Sequence, residues 1–309
     1  MIGERERGNR PPPRLRPAAI ICLALAAALT PPPAPGGTVP LQTSGVLAGY
    51  ELGEERATHW RLPRRLTEIS GLAVTRDGRL LAHHDEAGVV FELDYRTGAI
   101  VKEFALADGE APVRGDFEGI ATVEERIYLV TSAGRLYEFH EGTDREPVLF
   151  TMYATGVGQR CEIEGLAYDA SRRALLLLCK RPVGQAPAGR LRVHAWSVDR
   201  RQLDENGGVV LEVGDFSRHL GTNGFRPSGI EWHPDSGRLL IVAARQQAIA
   251  EVTPDGAVAA VRRFSAGWHR QVEGVTLAPD GSLIVADEGA GGRGRLTVYP
   301  AVPLQGAER

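Results

Sequence analysis

The chain has little of what usually marks an enzyme. Its 309 residues include three cysteines, two methionines and 6% aromatics, and no His/Cys set has the spacing of a zinc site. It has no Gly-x-Ser-x-Gly elbow, no His-Glu-x-x-His pair and no phosphate-cradling glycine loop. Gly156-Val157-Gly158 stops short of a dinucleotide fingerprint and reads as a plain loop. Basic excess is missing too. Lys and Arg number 36 against 39 Asp and Glu, a formal charge of −3, which argues against a nucleic-acid partner. The longest apolar run, Ala18 to Leu29, has twelve residues, too few for a membrane span of ~20. No long helix is expected.

That apolar run has company. Arg5, Arg7, Arg10, Arg14 and Arg16 precede it, and small residues at Ala26-Ala27-Ala28 or Ala28-Leu29-Thr30 offer a cleavage site. Residues 1–30 therefore read as a secretory signal peptide, with an uncleaved anchor as the rival and the only route to a membrane. Cys22 lies inside the apolar run behind Ile21, which does not suit a lipoprotein. The first thirty residues carry five Arg and two Glu, so the remainder is more acidic, at −6. The expected location is exported, periplasmic or extracellular. Residues 31–48 are rich in Pro, Gly, Ser and Thr and read as a linker to a domain spanning 49–303. In that compartment two readings of Cys161 and Cys179 stand side by side, a disulfide and a pair of buried thiols.

What the domain has in abundance is one phrase, acid-Gly-apolar-small, opening a strand. It occurs as Glu118-Gly119-Ile120-Ala121, Glu164-Gly165-Leu166-Ala167 and Glu273-Gly274-Val275-Thr276. Ser70-Gly71-Leu72-Ala73 and Ser228-Gly229-Ile230-Glu231 carry Ser for Glu. The glycines are spaced by 48, 46, 64 and 45 residues. After each phrase come a turn, such as Arg76-Asp77-Gly78 or Pro279-Asp280-Gly281, and a more apolar strand, such as Leu239-Leu240-Ile241-Val242. A third strand and, where visible, a fourth complete each unit.

Four-stranded antiparallel units at this period predict an all-β fold, a five-bladed β-propeller. The fifth unit ends near Tyr299 after three strands. Thr58-His59-Trp60-Arg61-Leu62 is strand-like and can supply the fourth, closing the ring with an N-terminal strand and leaving no open edge. The long interval holds extra loops at 181–190 and 204–225, and a sixth blade in the latter is the competing arrangement.

First strands line the channel of a propeller, so Ser70, Glu118, Glu164, Ser228 and Glu273 should meet at one mouth. Three carboxylates in a poorly solvated ring must protonate, find cations or bind a metal. An all-oxygen set suits Ca²⁺. The alternative is that each Glu bonds to backbone amides and no metal binds. Second strands run back to the same rim, placing His83, His84, Asp85, Glu86, Asp287 and Glu288 beside the mouth. Lys180, Arg181 and Arg245 occupy the matching positions of other blades, to pair with these acids or take an anionic ligand. Asp116 is a further metal or supporting candidate. His233 and His269 each adjoin a Trp and read as packing or surface residues, with a functional role for His269, four residues before Glu273, as the alternative.

Ile69-Ser70-Gly71-Leu72, Asp116-Phe117-Glu118-Gly119-Ile120, Glu164-Gly165-Leu166-Ala167-Tyr168-Asp169 and Val272-Glu273-Gly274-Val275 resemble the SdiA-regulated propeller family, itself distantly similar to NHL-repeat proteins. The resemblance covers about residues 50–300. It implies a five-bladed propeller in an exported or membrane-attached bacterial protein, with Ca²⁺ held, by position, at Glu118, Glu164 and Glu273. Ser at 70 and 228 and the long interval depart from the pattern. The Glu-Gly opening also resembles the esterase-like phytase group.

Three functions are consistent with these features. One is a Ca²⁺-binding module for a small molecule or an envelope protein. Another is a Ca²⁺-dependent hydrolase of esters, lactones or phosphoesters, with His84 or Asp287 handling the proton. The third is a structural propeller without metal.

Overall fold

The computed structural model describes residues 45–109, 111–183 and 189–302. The signal-peptide segment, most of the Pro/Gly-rich segment and residues 184–188 lie outside the described residues.

The repeat folds as expected, into five antiparallel sheets of radial strands. Blade 1 comprises Ile69–Val74, Leu80–His84, Val89–Asp94 and Ala99–Leu106. Blade 2 comprises Phe117–Val123, Arg126–Thr131, Arg135–His140 and Phe150–Ala154. Blade 3 comprises Cys161–Asp169, Ala174–Pro182, Arg190–Ser197 and Gln202–Glu212. Blade 4 comprises Gly229–Trp232, Leu239–Ala243, Ala248–Val252 and Val258–Arg263. Blade 5 takes Val272–Leu277, Leu283–Asp287 and Arg295–Tyr299 from the C-terminal end and Thr58–Arg61 from the N-terminal side. The closing pair is antiparallel, from Thr58 opposite Val298 to Arg61 opposite Arg295. A short strand, Pro147–Val148, adds to the outside of blade 1 in parallel.

Each innermost strand contacts the innermost strands of both neighbouring blades, around the whole ring. The apolar second strands explain the packing. They are covered on both faces, so they read as unbroken runs such as Leu175 to Leu178, all buried. Five apolar clusters result, one at each junction between blades.

Two features depart from the sequence reading. Residues 204–225 form no sixth blade. They finish the outer strand of blade 3 and then make the helix Val213–Leu220, whose Phe216 and Leu220 are buried. Phe216 stacks on Phe225 with ring centroids 4.1 Å apart. The linker also ends earlier than residue 48. Val46–Gly49 form a 3₁₀ turn, and Leu47 is buried between blades 4 and 5. Its N–H donates to Glu251 Oε2 (2.9 Å), a fully buried carboxylate that also takes the Arg238 guanidinium. The hydrophobic junction, and not the polar composition upstream, decides where packing begins.

Candidate functional site at one mouth of the channel

The acids reach the channel through β-bulges. Ile69 pairs with His84 and Gly71 with His83, so Ser70 is an extra residue on its strand. Glu118 is likewise extra between Phe117 and Gly119, and Glu273 between Val272 and Gly274. The register of blade 3 shifts at the same place, between Ile163 and Leu166. A bulge re-aims one side chain without breaking the sheet beyond it. Here it recurs in blades 1, 2, 3 and 5, and it brings Ser70, Glu118 and Glu273 to the channel opening. The following glycine is needed because backbones crowd there. A Cβ on Gly119 would lie 2.5 Å from Leu166 N, and one on Gly229 2.2 Å from the Glu273 carbonyl oxygen.

Ser70, Glu118 and Glu273 line one small opening with the repeat glycines. Its volume is about 10 Å³, room for an ion or a water and not for an organic molecule. Glu164 is buried and lies in the same electrostatic group. Burial pushes Glu118 up to about 10, with Glu164 and Asp116 adding repulsion. Burial pushes Glu273 up to about 8, again with Glu164 adding to it. Glu164 rises to about 7, also through burial, held back by Lys180. Lys180 Nζ donates to Glu164 Oε1 at 2.5 Å and lies 3.9 Å from Glu162. A cation thus already stands among the glutamates. It faces the three ring carboxyls and Glu162, so carboxyls outnumber the one cation there.

Around this ring lies a looser acidic rim. Asp85 is raised by burial and by Glu68, and its Oδ1 has no hydrogen-bond partner. Glu288 is raised by burial and by Asp85, and it accepts from Gln271 Nε2. Asp116 is exposed and accepts from Ser132 Oγ at 2.5 Å. His84 is half-buried, and burial lowers its pKa.

Several residues expected at the mouth have other duties. Ser228 Oγ donates to the Val272 carbonyl (2.6 Å) and accepts from Ala244 N–H (3.0 Å), so it stitches two blades and is not a free ligand. Asp287 is buried and bonded to His269 Nδ1 (2.6 Å), while His269 Nε2 meets Tyr299 Oη (2.7 Å). That chain is part of blade 5, which removes Asp287 from rim proton transfer and makes His269 a packing residue. Glu86 is exposed and pairs with Arg114, and exposed Arg245 pairs with no acid among the described residues. Arg181 pairs with Glu162. Cys161 and Cys179 are joined by a disulfide, Cα atoms 5.7 Å apart, across the first two strands of blade 3. Among the described residues the one tight group of metal-ligating types is these two cysteines with His194, and the disulfide takes both sulfurs. Sequence reasoning missed Glu68 and Gln271, which carry no repeat signature, and the bulges, whose signal was the acid-Gly pair itself.

A family model described as "Phytase-like: Esterase-like activity of phytase" matches residues 64–267. No curated protein matches the sequence significantly. Among solved structures, glutaminyl cyclase of Myxococcus xanthus is similar with a TM-score of 0.54 and 16% identity, over 80% of this chain and 97% of that one. The PQQ-bound aldose sugar dehydrogenase of Streptomyces coelicolor follows with a TM-score of 0.46 and 14% identity, over 81% and 99%. Virginiamycin B lyase of Staphylococcus aureus gives 0.45 and 10%, over 80% and 99%. At 16% identity the likeness to the cyclase is one of fold.

Proposed function

Given that the chain belongs to the phytase-like family, we propose that it is an exported hydrolase of ester or phosphoester bonds that works at the glutamate-lined mouth of its channel. The observation that carries this is the convergence of Glu118, Glu164 and Glu273 with one lysine, Lys180. The donor set is all oxygen and its three carboxyls outnumber the one lysine, so that displacing their protons leaves net negative charge, which fits a hard divalent cation, Ca²⁺ before others. Glu118, Glu164 and Glu273 would hold it, with Ser70 and Asp116 beside them. When bound, Ca²⁺ polarises a carbonyl or phosphoryl oxygen. The chain's own residues do the rest. Lys180 Nζ offers a cationic donor to an anionic oxygen, and Glu118, which burial keeps protonated in the ion-free ring, would give up that proton to become a ligand when the ion binds. The opening admits no organic group, so the substrate rests on the rim at Asp85 and Glu288 and presents only its reacting end to the ring.

Export is supported by the basic-then-apolar N-terminus and by the disulfide. Kinship with the SdiA-regulated propellers is proposed on the shared Glu-Gly openings alone. The narrow opening also favours a second function, a Ca²⁺-binding module that recognises a small molecule or an envelope protein without turnover.

The test is a panel of nitrophenyl esters and phosphoesters, assayed with Ca²⁺ and with EDTA, on wild type, Glu118→Gln and Lys180→Met. Turnover that needs the cation and falls at least about a hundredfold in both variants is expected for catalytic groups. Ca²⁺ binding without turnover leaves the binding module. Neither binding nor turnover rejects both.

A further inference from the structure

The other mouth of the channel carries a different chemistry. The innermost strands leave the ring there, and their last residues surround a cavity of about 830 Å³, within the usual size of a small-molecule site. Its deep wall is apolar, with Leu72, Ile120 and Leu166 shared with the glutamate-lined end, and Tyr168 and Trp232 stand further out.

Arg76, Glu124, Arg173, His233 and Asp235 also line the cavity, and on the inner strands blades 4 and 5 break the apolar pattern. The position two after the repeat glycine is Ala73, Ala121 and Ala167 in blades 1 to 3, but Glu231 in blade 4 and Thr276 in blade 5. Those two meet: Thr276 Oγ1 donates to Glu231 Oε2 at 2.6 Å, and Trp232 N–H donates to Oε1 at 2.7 Å. Among the described residues no Lys, Arg or His pairs with Glu231. The guanidinium of Arg173 at the cavity rim is already taken by Glu124 and Asp199. Burial accordingly pushes the Glu231 carboxyl up to about 7. A carboxylate placed in an apolar cavity without a counter-ion costs stability that alanine, used in three blades, avoids.

We propose that this cavity is a second ligand site, distinct from the glutamate-lined mouth, which takes a small organic amine whose ammonium pairs with Glu231 while its apolar body lies against Tyr168, Trp232 and the inner wall. The basic groups that line the cavity, Arg76, Arg173 and His233, make no ion pair with Glu231 among the described residues, and a ligand ammonium supplies that partner. A tryptophan face at the same wall favours a cation further. A metal ion suits the site poorly, since one carboxylate and a hydroxyl amid apolar side chains do not make an oxygen cage.

The probe is 2-phenylethylamine, compared with 2-phenylethanol and phenylacetate by calorimetric titration at about pH 8, above the value to which Glu231 is pushed. The amine should bind saturably and at least about tenfold tighter than the alcohol, with no binding of the anion. Glu231→Ala restores the residue of the other blades and should fold. It should abolish the preference for the amine, as should Glu231→Gln, while Glu164→Gln at the opposite mouth should leave it intact. Equal binding of amine and alcohol, no saturable binding of any probe, or an unchanged amine preference in both Glu231 variants overturns the proposal. None of these results bears on hydrolysis at the other mouth.

Discussion

Glu118, Glu164 and Glu273 share one place in the repeat, yet their surroundings separate them. Glu164 has Lys180 and is pushed only to about 7, whereas Glu273 reaches about 8 and Glu118 about 10. Each is raised above 4.5, its value in the unfolded chain, so the folded state holds these protons more tightly. Their contribution to stability is complete below about pH 4.5 and is lost as pH rises through about 7, 8 and 10 in turn. Calcium-free protein should therefore melt at a lower temperature at pH 9 than at pH 6 by differential scanning calorimetry, and Glu273→Gln should flatten that fall. Ca²⁺ should raise the melting temperature more at the higher pH, where the ring is charged. A melting temperature that climbs with pH in the calcium-free protein contradicts this. Residue identity was legible here: the acid in three copies picked out the ring, and of the two serines Ser70 lines the opening whereas Ser228 bonds between blades. The seat of Lys180 was less so, because its strand position matched Arg181 and Arg245 equally well and only the fold chose between them. Asp287 misled for a similar reason. Its place on the rim was right, but pairing with buried His269 turned it inward.

At the scale of the element, the bulge joins sequence to site. The acid-Gly pair was visible, but alternation of faces along a strand gives no hint that a residue is extra. That follows only once the second strand is paired beside it. Because the glycine admits the neighbouring backbone, Gly119→Ala should cost about 1–3 kcal/mol in urea unfolding and weaken Ca²⁺ binding as well. An unchanged midpoint would show that the inner strands can part there. The disulfide ties the bulged strand of blade 3 to the strand that carries Lys180, across a separation of 18 residues. Its loss in Cys161→Ser/Cys179→Ser should cost about 3 kcal/mol. The turn around Leu47 was not legible, since its neighbours read as linker. Its burial between blades 4 and 5 makes Leu47→Ala a test of the boundary, with a cost of about 2–5 kcal/mol expected and a cost near zero if the segment is a free linker.

For the whole molecule, five units and their closure were readable from glycine spacing, turn residues and one orphan strand. The long interval was ambiguous, because a helix after a long outer strand uses the same residues that a sixth blade would. Closure joins the two ends of the domain, so a chain beginning at residue 43 should fold, and one beginning at residue 63 should aggregate through the exposed Arg295–Tyr299 edge. Light scattering during refolding distinguishes the two. The ring also separates two chemistries along one axis, an acidic end with little space and a large cavity whose apolar inner wall carries the carboxylate of Glu231.

The central claim is that the acidic end is a cation-assisted hydrolytic site. It is tested most directly by the rate of nitrophenyl ester and phosphoester hydrolysis in EDTA-treated protein as Ca²⁺ is added back. The rate should rise from background to saturation in wild type and stay at background in Glu118→Gln. A rate that is the same in EDTA and in Ca²⁺, or one that Glu118→Gln leaves unchanged, contradicts it.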